Sequence, residues 1–274
     1  MSGADFAQWL LAPLSGSAHH EPLSWTIWHG RAMVAAWAIL LPLGVLVARY
    51  FKVMPGQAWP DQLDNKTWWH WHRILQTAGV VLMTVGCWTA MGHAHDTGAL
   101  ARLHRWLGWT LVTSGWLQVL GGIARGTKGG PSACRHRVAS VDAVRGDHYD
   151  MTTRRRWFEY THKVVGTTAV LLAIGVIAMG LMLADAPRWM VAVLAVWWVA
   201  LALMALYWQR VGRCIDTYQA IWGPDATHPG NRMAVIGWGV RRYSRESWRR
   251  RIGARADAKF TQDDHDRRHH EGTN

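Results

Sequence analysis

The chain has 274 residues, half of them hydrophobic, with 20 Trp against only 4 Phe, 15 His and a formal net charge of +12. In a soluble protein that charge would point to nucleic acid. Here Lys and Arg crowd the segments beside long apolar blocks, which is how membrane proteins fix their topology, and a nucleic-acid partner is excluded.

Residues 1–23 carry Asp5, lack a basic start, and hold one short apolar stretch, Phe6 to Leu14, broken by Pro13. They read as a periplasmic or interfacial segment and not as a cleaved signal. Five apolar blocks follow, predicting spans over 24–50, 69–91, 103–124, 158–183 and 188–211. At about 1.5 Å per residue, each approaches or exceeds a hydrocarbon core of about 30 Å. Trp25, Trp28, Trp68, Trp69, Trp71, Trp106, Trp157, Trp189 and Trp208 fall near predicted span ends, where an indole keeps its apolar body in lipid and its N–H in the interface. Pro187 suits a tight turn between the last two spans, and the Gly-rich, charged stretch 126–150 is the longest internal loop. The expected fold is an all-α membrane protein: a five-helix transmembrane bundle over 24–211, preceded by segment 1–23 and followed by a basic tail, 212–274.

Lys and Arg cluster after the first span (Arg49, Lys52, Lys66), after the third (Arg125, Lys128, Arg135, Arg137, Arg145, Arg154, Arg155, Arg156) and after the fifth (Arg210, Arg213 and the tail). In a five-span chain these segments share one side. The expectation is therefore an N-terminus outside and a C-terminus in the cytoplasm, in a bacterial inner membrane.

Ten histidines fall in predicted loops or tails: His19, His20, His93, His95, His136, His148, His228, His265, His269 and His270. They need no special role, although the His-, Asp- and Arg-rich end reads as a disordered terminus with some capacity for metal. The other five, His29, His70, His72, His104 and His162, lie at or inside spans, where an ionisable ring is costly without a partner. His29 and His104 open the first and third spans at similar depth near the outer face. His72 and His162 open the second and fourth on the opposite side. They sort into two pairs, one per leaflet, and facing neutral imidazoles are suitable axial ligands for haem iron. His70 competes with His72, because two residues along a helix turn the side chain by about 200°. Gly30, Gly108 and Gly166 permit close approach of a flat cofactor, and equally suit helix packing. No C-x-x-C-H motif occurs, so covalent haem attachment is not supported; Cys87 reads as a buried packing residue, and Cys134 and Cys214 stand far from it.

These residues carry a family resemblance. His29-Gly30 through Pro42-Leu43-Gly44 and Ala48-Arg49-Tyr50-Phe51-Lys52, then Trp69-His70-Trp71-His72-Arg73-Ile74-Leu75-Gln76, His104-Arg105-Trp106-Leu107-Gly108 with Gln118 and Gly121, and His162-Lys163-Val164-Val165-Gly166 follow in order over about 25–185. Together they resemble the cytochrome b561 family, in the type associated with DOMON domains but without the DOMON domain. The resemblance implies a di-haem b-type cytochrome with two non-covalent haems between four helices, held by His29 with His104 and by His72 with His162. It also favours His72 over His70, and implies basic contacts to anionic reductants such as ascorbate, or to haem propionates, at Arg49, Lys52 and Arg73. Those three equally serve as positive-inside anchors.

The function expected is electron relay across the membrane between a donor and an acceptor, with a transmembrane oxidoreductase of the ferric or quinone reductase type as its enzymatic form. The alternatives are a haem-bearing anchor subunit of a dehydrogenase or larger redox complex, and a non-redox scaffold or a metal or haem transporter. Lipid, redox partner proteins and a small-molecule reductant or quinone are the expected partners. The tail, with Arg241, Arg242, Arg245, Arg249, Arg250, Arg251 and Arg255 among Trp238, Tyr243 and Trp248, is expected to lie on the anionic leaflet or to dock a larger complex.

Overall fold

The structure is a computed structural model and describes residues 2–17, 23–93, 98–130 and 146–251. Five long helices organise it: α1 (Ser24–Tyr50), α2 (Thr67–Ala90), α3 (Ala99–Ala124), α4 (Thr153–Leu183) and α5 (Arg188–Arg210). No strand forms among the described residues. α1 packs along α2, and α3 along α4, as two antiparallel pairs laid face to face. Their shared core joins Trp37 and Leu41 of α1, Met83 of α2, Leu111 of α3 and Ala173 of α4.

Three of the five helices, α1, α4 and α5, are long and apolar enough to cross a membrane. α2 and α3 match them in length, about 36 and 39 Å at 1.5 Å per residue. Their first turns, however, carry His70, His72 and Arg73, and Arg102, His104 and Arg105, which lowers their mean hydropathy. Outward-facing Val81, Val85 and Trp88 on α2, Leu117, Leu120 and Ile123 on α3, and Val193, Val196 and Leu203 on α5 remain exposed. Such an apolar sheath is stable only in lipid. The chain is an integral membrane protein.

Inside α1, residues Val34–Leu40 widen into a π-helical turn. Pro42 has no N–H, so the carbonyl of Ala38, four residues earlier, lacks its helical donor. The indole of Trp197 supplies one, donating Nε1–H to Ala38 at 2.7 Å and pinning α5 to α1. At the turn between α4 and α5, Arg188 of α5 lies 5.1 Å over the ring of Trp9 from the short helix Gly3–Leu11, and Ser15 donates to Asp185 from both backbone and hydroxyl.

The tail departs from expectation. Residues 212–251 fold back as a cap against loop 51–66 and the 146–152 turn. The short helix Thr217–Trp222 is buried throughout, with Asp216 capping its start. Arg242 pairs with Asp216 at 2.6 Å and donates to the carbonyls of Gly230, Asn231 and Met233. Lys52 donates to Ile215, and Arg213 to Tyr50 and Val53. Of the arginines expected on the lipid surface, Arg242 is thus occupied by backbone carbonyls within the fold, and Arg251 donates to the Tyr243 hydroxyl. Arg255 and the His-rich end lie outside the described residues, as do His19, His20, His95, His136 and Cys134.

Candidate functional site

The two antiparallel helix pairs bring four of the five span histidines together. At one end of the bundle His29 of α1 faces His104 of α3, with ring centroids 6.2 Å apart and planes at 75°. At the other end His72 of α2 faces His162 of α4, again at 6.2 Å and at 78°. His72 lies 14 residues before Gly86, which is level with His29, so the two pairs stand about 21 Å apart along the bundle. His70 is exposed and faces neither pair.

Hydrogen bonding fixes three of these rings. His29 Nδ1–H donates to Gly86 O at 2.8 Å, His72 Nδ1–H to Gly44 O at 2.9 Å, and His104 Nδ1–H to Val176 O at 3.1 Å. A carbonyl can only accept, so Nδ1 must carry the hydrogen and Nε2 is left with its lone pair. This backbone tether is the usual support of a metal-bound histidine. The Nδ1 of His162 is buried without a partner.

The residues present fit a haem. A metal–imidazole bond of about 2 Å and roughly 1.1 Å from nitrogen to ring centre place two axial rings about 6.3 Å apart, close to both observed pairs. Beside His29 and one turn from His104, the positions a Cβ would take at Gly30 and Gly108 meet nothing within 4 Å. A side chain there would narrow the space that a flat macrocycle needs. Near the His72–His162 pair, Arg125 lies 4.0 Å over the Trp69 ring and Arg155 lies 5.3 Å over Phe158, whose own ring is 5.1 Å from His162. Arg155 is 5 % exposed, yet its Nε and Nη1 have no partner. Two guanidiniums beside the site, one of them incompletely paired, suit the carboxylates of an anionic cofactor.

In the sequence Arg125 and Arg155 read only as part of a run of positive-inside charge; Arg155, seven residues before His162 and so on nearly the same helix face, was the available signal of a role at the site. Arg49 and Lys52 are instead engaged by the cap. Arg49 donates to Gln209 and to the Trp238 carbonyl, and buried Lys52, its ammonium brought down to about 8 chiefly by burial, donates to Ile215. Arg73 stays exposed beside Trp69. His148, read as a loop residue without a role, is fully buried against Tyr218, with neither ring nitrogen partnered.

Residues 28–146 match the family model described as Eukaryotic cytochrome b561. This segment is similar to the cytochrome b561 family. The cytochrome b561 and DOMON domain-containing protein At3g59070 of Arabidopsis thaliana is 29 % identical over 154 residues, covering 56 % of this chain and 27 % of that protein. Ferric-chelate reductase 1 of Mus musculus is 28 % identical over 153 residues, covering 56 % and 22 %. The cytochrome b561 and DOMON domain-containing protein At2g04850 of Arabidopsis thaliana reaches 33 % over 93 residues, covering 34 % and 21 %. The chain thus spans about a quarter of the length of these curated relatives. They are plant and animal proteins, and give no support to a bacterial membrane. No solved structure matches. The match over this segment supports b-type haem and a membrane electron-transfer role.

Proposed function

We propose that the chain binds two b-type haems and relays electrons between donor and acceptor on opposite faces of the membrane, with all five long helices spanning it. The observation that carries this reading is the presence of two imidazole pairs of matching geometry, 6.2 Å between centroids, at opposite ends of one bundle. His29 and His104 would hold one haem, His72 and His162 the other. Bound there, haem would supply reversible one-electron redox chemistry.

The chain's own residues do the rest. The carbonyls of Gly86, Gly44 and Val176 hold imidazoles in the ligating tautomer. Trp37 and Met83, 4 % and 0 % exposed, stand in the core between the pairs, so polarisable atoms lie within the gap of about 21 Å set by the helical rise. Arg125 and Arg155 place positive charge at the His72–His162 end, favouring the reduced state there and attracting carboxylates. The concentration of Lys and Arg at this end argues for its facing the cytoplasm.

A relative's name, ferric-chelate reductase, makes a ferric chelate at the His29–His104 face the acceptor class we place first. Exposed Arg73 beside the opposite pair suits a small anionic reductant. The test uses purified protein in vesicles loaded with ascorbate, with ferricyanide outside. The reading predicts external reduction at least tenfold faster than in protein-free vesicles, and its loss in His72→Ala and His104→Ala. A haem-replete protein that gives only the protein-free rate would refute it.

A further inference from the structure

The four ligand helices share a register that leaves one position conspicuous. In α2, Gly86, whose carbonyl serves His29, comes 14 residues after His72; in α4, Val176, whose carbonyl serves His104, comes 14 after His162; in α1, Gly44, whose carbonyl serves His72, comes 15 after His29. Each helix carries a ligand at one end and, about four turns on, the acceptor for its antiparallel neighbour's ligand. In α3 the fourteenth residue after His104 is Gln118.

Gln118 lies at the right level. Gly121, one turn further along α3, would place a Cβ 3.8 Å from Phe158, whose ring lies tilted against His162 at 5.1 Å. The Oε1 of Gln118 is 3.9 Å from the Cβ position of Gly166, one turn along α4 from His162, and Gly166 leaves the room it occupies. That oxygen is buried without a donor, and His162 Nδ1 is buried without an acceptor. A lone acceptor and a lone donor, buried in the same turn of the same helix pair, are complementary.

Building on the di-haem reading, we propose that Gln118 is the positioning residue for His162: its Oε1 accepts the Nδ1 hydrogen, the one case of four in which a side chain replaces a backbone carbonyl. The basicity of this ligand is then open to substitution, whereas the other three are set by the main chain. An acceptor on Nδ1 makes an imidazole a stronger donor to iron and favours the oxidised state.

The test is a redox titration with haem content, on wild type, Gln118→Leu and Gln118→Glu, each also in a His104→Ala background to isolate the His72–His162 haem. Wild type must hold two haems per chain; fewer would overturn the di-haem reading itself. Gln118→Leu is expected to raise the midpoint of that one haem by about tenfold in its reduction equilibrium, close to 59 mV for one electron, and to leave the other unchanged. Gln118→Glu, which keeps an acceptor, should sit at or below the wild-type midpoint. Selective loss of this haem in Gln118→Leu, with retention in Gln118→Glu, supports the assignment equally. Unchanged midpoints with two haems in Gln118→Leu, equal shifts in both haems, or loss of haem in both variants would overturn it.

Discussion

His29 donates its Nδ1 hydrogen to the carbonyl of Gly86 at 2.8 Å, and at that same glycine an added Cβ would stand 2.9 Å from the Cβ of Ala32 on α1. One residue therefore both sets the spacing of α1 and α2 and holds the imidazole in the tautomer that leaves Nε2 with its lone pair.

Gly86→Val is expected to force the two helices apart and pull the acceptor away from His29. Losing a supporting hydrogen bond of this kind typically costs about 10–100-fold in metal affinity. Haem titration should show the His29–His104 haem weakened by about that factor, with the other haem retained; equal weakening of both would contradict the local account.

Arg155 is buried beside Phe158 with two nitrogens unpartnered, and its charge favours reduction of a haem held by His72 and His162. Arg155→Met should lower that haem's midpoint by about tenfold in its reduction equilibrium, the order expected of one charge in a half-buried site. The other haem, about 21 Å along the bundle, should stay within a small fraction of that shift.

His148 adds a pH dependence to stability. Burial, then the charge of Arg155, push its imidazole from an ordinary value near 6.5 down to about 3. Below about pH 6.5 the unfolded chain takes up a proton that the folded chain does not. The stability present above that pH is therefore lost progressively as the pH falls towards 3, by about 2 kcal/mol at pH 5. His148→Gln removes the group, so the drop in melting temperature between pH 7 and pH 5 should be smaller than in wild type. Parallel melting curves would show that His148 does not carry the effect.

The cap is held by the Arg242–Asp216 pair, whose side chains are 20 % and 5 % exposed. Arg242→Ala strands Asp216 and three carbonyls, a loss of about 3 kcal/mol for a pair of this kind. Trypsin should then cleave within 212–251 at protein concentrations where wild type resists, while haem content is kept.

The histidine geometry was legible in the sequence because membrane helices impose depth. A ligand near the start of an odd or an even span must lie at one end or the other, and the pairing of His29 with His104 and of His72 with His162 follows. The helical rotation between His70 and His72 was legible too, although only packing decides which ring faces Gly44. The cap was not legible. Arg242 satisfies carbonyls of Gly230, Asn231 and Met233 that no charge count reveals, and Thr217–Trp222 is too short to show periodicity. Arg125 and Arg155 were hidden differently, since a charge that fixes topology and a charge that meets a cofactor look alike in sequence.

The central claim is that each haem belongs to a particular pair of histidines. Haem per chain, measured as pyridine haemochrome, tests it most directly in wild type and two double variants. Two haems are expected in wild type, one in His29→Ala/His104→Ala, where both losses fall on the same site, and none in His29→Ala/His72→Ala, where each site loses a ligand. Equal haem content in the two double variants, or fewer than two haems in wild type, would contradict it.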